Sequence, residues 1–126
     1  MYYDVCVFGG CSLDNMFYQE VSGGYPGEAN LTVFGGKGAN QAIAAARAGA
    51  KTTIITRIGK DEVGKKIIDN FKINNVDVSN IEELENVVND YSNIFININD
   101  KDNEIERYGN AINSFSKEMI LKNKET

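Results

Sequence analysis

Short apolar runs alternate with longer helical patterns through the first half of the chain. β-branched and aromatic residues predict buried strands over residues 3–8 and 52–58. Apolar spacing, with Gly49 as a C-terminal stop and Asp61 as an N-cap, predicts helices over residues 39–48 and 61–74. The order strand, helix, strand, helix favours an α/β sandwich with parallel strands.

A hairpin is predicted between the first strand and the first helix. Residues 16–21 and 31–34 have strand character, and the connection at 22–27 is rich in turn residues and contains the single proline. A bare βαβ unit does not explain this insertion.

A second hairpin is predicted in the last third of the chain. Ile94, Ile96 and Ile98 recur with a period of two, which predicts a strand with one apolar face. Residues 104–108 can form the return strand, and Ser116 can cap a short terminal helix.

Composition excludes several classes of partner. The chain has 126 residues, 42% of them apolar and 25% charged, which suits one soluble domain with a hydrophobic core. A net charge of −5 gives no electrostatic case for nucleic acid or an anionic membrane surface. No apolar run approaches the roughly 20 residues of a membrane span, and no basic segment precedes the first apolar run. We therefore expect no signal peptide and a cytoplasmic location.

The two cysteines are interpreted as structural. Cys6 lies in an apolar run, where a buried thiol acts as a small hydrophobe. Because the chain contains no histidine, a zinc site with Cys6 and Cys11 is not expected. The same absence removes the commonest general base of hydrolytic triads.

The segment 35–41, Gly-Gly-Lys-Gly-Ala-Asn-Gln, is the sharpest motif. Glycines allow a backbone to approach a ligand and expose its N–H groups, and a following helix N-terminus adds positive potential. Such a loop suits an anion or a ring of sugar hydroxyls. It has neither the Walker spacing nor the G-x-G-x-x-G spacing of dinucleotide sites. A tight turn that merely packs a helix on a sheet is the alternative, and spacing alone leaves both open.

The segment 35–41, together with Gly49 and Gly59, resembles the N-terminal signature of PfkB-type carbohydrate kinases and is especially similar to that of ribokinases. Further matches extend over nearly the whole chain. Gly-Gly-Cys-Ser-Leu-Asp at 9–14 is similar to the family's first sugar-binding turn. Pro-Gly-Glu at 26–28 is similar to the turn between two lid strands. Gly59-x-Asp61-x-x-Gly64 and Val76-Asp77 also resemble the family at the corresponding positions.

The resemblance implies a ribokinase-like (Rossmann-like) three-layer α/β sandwich. Residues 1–126 would form its N-terminal half, with a small β-sheet lid at about 15–34 and 92–108. It also implies a sugar site formed by Ser12, Asp14, Gly36, Lys37, Gly38, Asn40 and Asn113.

Individual roles follow from the resemblance. Asp14 would accept hydrogen bonds from two sugar hydroxyls, because its two oxygens can serve neighbouring donors. Gly36 would offer backbone contact, and Lys37 and Asn40 would hydrogen-bond the same sugar. The structural alternatives are a turn-capping carboxylate for Asp14 and a solvated surface charge for Lys37.

Two departures from the family pattern stand out. Ribokinases commonly have Asn where this chain has Ser12, which leaves the identity of the sugar open. The family's catalytic aspartate lies in a Gly-Ala-Gly-Asp motif of the C-terminal half, with the ATP and magnesium sites, and this chain has no such motif. We therefore expect neither a catalytic residue nor a metal site in these 126 residues, and interpret the chain as a fragment or an incomplete product.

The resemblance implies a parent enzyme that uses ATP to phosphorylate a hydroxymethyl group of a small sugar. Ribose or a related pentofuranose is the first expectation, with fructose or a nucleoside as alternatives. A non-catalytic sugar-binding or oligomerising fragment is the alternative of a different class. Because lid strands of this family commonly pair between subunits, a homodimer through the lid is also expected.

Overall fold

Two β-sheets and three helices organise the chain in the computed structural model, which describes residues 2–19, 29, 31–99 and 102–126. In chain order the elements are β1 (Val5–Phe8), β2 (Ser12–Gln19), β3 (Leu31–Gly35), α1 (Lys37–Arg47), β4 (Thr52–Gly59), α2 (Glu62–Ile73), β5 (Val76–Asp77), β6 (Ile81–Leu84), β7 (Tyr91–Asn97), β8 (Asn103–Tyr108), a 3-10 turn (Ile112–Ser114) and α3 (Lys117–Lys122).

The main sheet is parallel, with the order β1-β4-β5 and with β6 also pairing to β4. α1 and α2 cover one face, where Ile54, Ile67 and Phe71 belong to one buried core. The other face meets the 3-10 turn and α3, where Met119 is buried and the rings of Phe8 and Phe115 lie 5.5 Å apart. The predicted α/β sandwich with parallel strands is confirmed. No helix in the described ranges has the length and apolarity needed to cross a membrane.

Helix ends follow the sequence signals. The Asp61 carboxylate accepts a hydrogen bond from the Gly64 amide at 2.9 Å and caps α2. α1 ends at Arg47 with Ala48 as its C-cap, and Gly49 follows with φ 97°, so the predicted bounds of both helices are confirmed to within two residues. Ser116 is the N-cap residue of α3, although its side chain makes no cap hydrogen bond to a described residue.

The second sheet has the order β3-β2-β7-β8. β2–β3 and β7–β8 are antiparallel, as the two predicted hairpins require, and β2–β7 pair in parallel. β2 begins at Ser12, four residues earlier than the pattern indicated, because residues 12–16 pair with β3 and residues 13–16 pair with β7 as well. The predicted turn at 22–27, the 26–28 match and the end of the predicted strand at Val21 lie outside the described residues.

The interpretation of Cys6 as a buried thiol is wrong. Cys6 is exposed, whereas Cys11 is buried. β1 is an edge strand whose side chains alternate, so Val7 joins the core under α1 while Cys6 points to the other face. That face is covered incompletely, since Phe8 remains 44% exposed beside it.

Candidate functional site

A cavity of about 560 Å³ lies where the two sheets meet the start of α1. This volume falls within the roughly 300–1,000 Å³ of small-molecule sites. The lining residues are Gly10, Cys11, Ser12, Gly36, Lys37, Asp90, Tyr91, Ser92, Arg107, Tyr108, Gly109, Ile112 and Asn113.

The glycine segment forms one wall by packing backbone against backbone. Gly36 has φ 96° and ψ 140°, and a Cβ there would lie 2.7 Å from the Cα of Cys11. A Cβ on Gly38 would lie 2.7 Å from the carbonyl carbon of Gly9. The segment therefore does pack α1 tightly against the first turn, and the same packing brings Gly36 and Lys37 to the cavity.

Ser12 and Asp14 lie on β2, on the same face of the strand because they are two residues apart. The Ser12 hydroxyl donates to Asp14 Oδ1 at 3.2 Å. Gly35 pairs with Ser12 in register, and a side chain at position 35 would strike the Asp14 carboxylate. Glycine at this position therefore makes room for the carboxylate. The resemblance placed Ser12 and Asp14 in a turn, but the structure places both on a strand.

The cavity brings together four of the seven predicted site residues: Ser12, Gly36, Lys37 and Asn113. The other three lie beside it and do not line it. Asp14 is two residues beyond Ser12 on the same face of β2, and Gly38 is buried against Gly9. Asn40 is exposed on the first turn of α1, where its backbone amide donates to the Gly36 carbonyl at 2.9 Å.

Several lining residues were missed by the sequence analysis. Ser92 and Arg107 pair in register on β7 and β8, and Asp14 pairs with Ser92 on the other side, so the three form one row across the second sheet. The only sequence signal was their position on predicted strands, which does not indicate a shared site. Neither Lys37 nor Arg107 has an ion-pair or hydrogen-bond partner for its side chain among the described residues.

Asp90 is the acidic residue of the cavity wall, and sequence analysis missed it as well. Burial raises the pKa of its carboxyl, against the opposing effect of hydrogen bonds from the Ile112 and Ala111 amides. Burial also raises the pKa of the Cys11 thiol to about 12. Cys11 is therefore a protonated, unreactive part of the wall at neutral pH.

The family model for pfkB family carbohydrate kinases matches residues 3–126. The chain belongs to the PfkB family of carbohydrate kinases. It is 39% identical over 98 residues to the ribokinase of Staphylococcus aureus (strain COL), an alignment that covers 78% of this chain and 32% of the relative.

Two solved structures share the fold of this PfkB family member. The ribokinase from Giardia lamblia has a TM-score of 0.80 at 19% identity, covering 96% of this chain and 37% of that one. The ribokinase from Cryptococcus neoformans var. grubii serotype A in complex with ADP has a TM-score of 0.67 at 26% identity, covering 88% and 36%. The ribokinase-like architecture is confirmed. The chain spans about a third of the length of the curated relatives it matches.

Proposed function

We propose that this chain forms the sugar-binding part of an ATP-dependent carbohydrate kinase that phosphorylates a hydroxymethyl group of a small sugar. The observation that supports this most is the convergence of Ser12, Gly36, Lys37 and Asn113 on one cavity in a PfkB family member. These residues come from three separate stretches of the sequence, and they supply hydroxyl, backbone, ammonium and amide groups, which suit a ligand rich in hydroxyls.

Asp14 is the principal acceptor in this proposal. It accepts a hydrogen bond from Ser12, so a sugar that enters between Ser12 and Lys37 can replace Ser12 as the donor. A carboxylate then serves two neighbouring hydroxyls with its two oxygens. Lys37 and Asn113 approach the same ligand from the other walls. Gly38 contributes by packing the start of α1 on Gly9, and the exposed Asn40 side chain is proposed to hydrogen-bond hydroxyls of the same sugar.

The sugar is proposed to be ribose or a related pentofuranose. Relatives that match this chain include the ribokinase of Staphylococcus aureus and the deoxyribokinase of Salmonella typhi. Ser12 has a shorter reach than the Asn that ribokinases commonly have there, so fructose and nucleosides stay as alternative substrates within the family.

The proposal includes ATP and Mg²⁺ as ligands of the complete enzyme and not of this chain. The described residues contain no group of three His, Cys, Asp or Glu that could hold a metal ion, and the chain has no Gly-Ala-Gly-Asp motif. No metal ligand and no step of the reaction is therefore assigned to the described residues. Phosphoryl transfer depends on positioning and charge stabilisation around the phosphates. We expect the 126-residue chain to bind sugar and to be catalytically inactive, and we propose a cytoplasmic location for it.

A second proposal is association through the second sheet. An apolar row crosses all four strands in register, and it consists of Leu31, Met16, Ile94 and Ile105. Leu31 is 47% exposed and Ile105 is 44% exposed, so a copy of the chain could cover the row. This row is the observation that favours the oligomerising alternative, and a homodimer accommodates both proposals.

Calorimetric titration of the purified chain with D-ribose, 2-deoxy-D-ribose, D-fructose and adenosine tests the sugar site. We expect ribose or deoxyribose to bind best and ATP-dependent phosphorylation of ribose and fructose to stay at background. Turnover by the pure 126-residue protein would show that our assignment of the chemistry is wrong. The reading frame beyond Thr126 offers a direct check, because a complete enzyme of this family is expected to carry a Gly-Ala-Gly-Asp segment there.

A further inference from the structure

Asp90 lies where the main sheet, the second sheet and the segment after β8 meet. Its backbone carbonyl accepts a hydrogen bond from the Leu13 amide at 3.1 Å. Its carboxylate accepts from the amides of Ala111 at 3.2 Å and Ile112 at 2.9 Å. One residue is therefore bonded to two walls of the cavity, next to Ser12 on one side and next to Asn113 on the other.

The segment 109–112 is shaped to receive this carboxylate. Gly109 has φ 99°, and a Cβ there would lie 2.5 Å from the Asn89 carbonyl oxygen and 2.6 Å from the Cα of Asp90. Asn110 adds two bonds to Val88, because its amide donates to the Val88 carbonyl at 3.0 Å and its Oδ1 accepts from the Val88 amide at 2.8 Å. The segment thus packs directly on the backbone of residues 88–90.

Residues 88–90 are themselves fixed to the main layer. Asn89 is 4% exposed, and its side chain bonds to both backbone groups of Gly59, accepting at 2.8 Å and donating at 3.2 Å. It also donates to the Asp61 carboxylate at 2.9 Å, which caps α2. Movement of Asp90 relative to β4 and α2 would break these buried bonds.

Beyond the segment, the chain is anchored again. Arg57 of β4 donates to the Ser114 carbonyl, and Ile112 packs on Gly10, where a Cβ would lie 3.0 Å from Ile112 Cδ1. The two hydrogen bonds from the Ala111 and Ile112 amides to the Asp90 carboxylate are called the Asp90 clip below. Asn113 lies between this clip and the bond from Arg57 to Ser114. It lines the cavity, and its side chain has no hydrogen-bond partner among the described residues.

We propose that Asp90 is a positioning residue for the sugar site: by clipping the amides of Ala111 and Ile112 it sets the distance between the Ser12 wall and the Asn113 wall. The inference rests on the proposed function, because it assigns Asp90 a role in sugar affinity through the hydrogen bonds that join the Ser12 wall to the Asn113 wall. It distinguishes Asp90 from an ordinary turn cap, whose loss changes stability and leaves affinity unchanged.

The test compares Asp90→Ala, Asp90→Asn and Asp77→Ala in the full chain. Asp77 is a matched control, because its carboxylate also binds a backbone amide, that of Ser79 at 3.3 Å, together with the hydroxyls of Tyr3 and Thr53, away from the cavity. Amide hydrogen exchange at Ala111 and Ile112, melting temperature and the dissociation constant for D-ribose are measured for each variant.

We expect Asp90→Ala to speed exchange at Ala111 and Ile112 and to weaken ribose binding about 10-fold or more. Asp90→Asn keeps one acceptor oxygen, so it should recover part of the affinity. Asp77→Ala should lower the melting temperature at least as much as Asp90→Ala does. Its dissociation constant for D-ribose should stay within about 2-fold of that of the unsubstituted chain.

Two failures are distinguishable. Faster exchange in Asp90→Ala with unchanged ribose affinity would overturn the positioning role and leave the sugar site intact, and unchanged exchange would overturn the clip itself. Absence of ribose, deoxyribose, fructose or adenosine binding by the unsubstituted chain would instead overturn the proposed function, and the positioning role with it.

Discussion

The main sheet and the second sheet of this chain differ in what covers them. β4 is buried along nearly its whole length between the α1–α2 layer and the α3 side, whereas every residue of β7 is only partly buried and every residue of β8 is exposed. The described contacts of the helices are mostly with the main sheet. Hydrophobic burial, and with it stability, is therefore concentrated in the main layer.

The cavity lies between these two regions and takes residues from both. The main layer contributes the glycine segment, which is rigid because its backbone packs against the first turn. The second sheet contributes Ser12, Ser92 and Arg107 from strands that little else supports. Substitutions in the second sheet can therefore alter the site with a small loss of folding stability. Substitutions in the main layer that alter the site should also cause a large loss of folding stability.

The largest effect is expected in the core. Phe71 is 1% exposed, so Phe71→Ala should lower the free energy of unfolding by about 3–5 kcal/mol. Phe95 is half-buried and stacks on Phe17 at 5.1 Å in the second sheet, and Phe95→Ala should cost about 1–2 kcal/mol. Urea unfolding measures both. Equal losses would mean that the two sheets share one core, contrary to the comparison above.

Gly36→Ala should damage both stability and the site. The backbone conformation of Gly36 and its approach to Cys11 both exclude a side chain, so we expect a loss of about 1–3 kcal/mol and no measurable ribose binding. Gly49→Ala is the matched control. Gly49 has φ 97° as well, but no described atom lies within 4 Å of its Cβ position, so only stability should fall. Ribose binding retained in Gly36→Ala would contradict the placement of the glycine segment at the ligand.

Asp14→Asn should weaken ribose binding about 10- to 150-fold, since one charge-assisted hydrogen bond is worth about 1.5–3 kcal/mol. The melting temperature should change little, because an amide retains one acceptor for Ser12. Asp4→Asn, which alters a carboxylate bonded to the Lys51 amide at 2.8 Å, is the control. A lowered melting temperature with an unchanged dissociation constant would make Asp14 a structural carboxylate.

Ile96→Lys tests whether the second sheet binds another copy. Light scattering at high concentration should find a dimer for the unsubstituted chain and a monomer for this variant. Ile73→Lys changes a 79% exposed residue on α2, far from the second sheet, and should leave the dimer intact. A monomer at all concentrations, with no change in solubility for Ile96→Lys, would exclude association through this sheet.

The smallest effect concerns pH. Burial raises the pKa of Asp77, but hydrogen bonds from Ser79, Tyr3 and Thr53 outweigh it and lower that pKa below its ordinary 3.8. Its stabilisation is therefore present above pH 3.8 and is lost as pH falls through the lowered pKa. Asp90 has a raised pKa, so its contribution is present below its ordinary 3.8 and is lost as pH rises through the raised value.

Unfolding free energies measured from pH 3 to pH 7 should reveal these opposite signs. In a plot of unfolding free energy against pH, Asp77→Asn should reduce the change at acidic pH, and Asp90→Asn should reduce the change above pH 3.8. Each effect on the unfolding free energy should be less than about 1 kcal/mol. The same slope for both variants would mean that the two carboxylates experience similar surroundings.

Sequence alone determined the elements whose signals are local. Periodicity and capping residues placed the β1, β4, α1 and α2 elements to within a few residues, because burial on one face and a satisfied helix end are both written in neighbouring residues. The segment 35–41 and its companions also identified the PfkB family. β6 was not predicted, since its Ile-Glu-Glu-Leu sequence has no strand pattern and it forms through pairing with β4.

The tertiary structure decided which residues share the site. The parallel pairing of β2 with β7 brings Ser92 and Arg107 to the row of Asp14, a juxtaposition across some 80 positions that no local pattern records. The exposure of Cys6 likewise depends on which face of β1 meets a helix, and the burial of Cys11 depends on the packing of the turn between β1 and β2 against Gly36. Asp90 acquires its partners only when the segment after β8 returns to the start of β7, because hydrogen bonds between distant backbone groups depend on the packing of the whole chain.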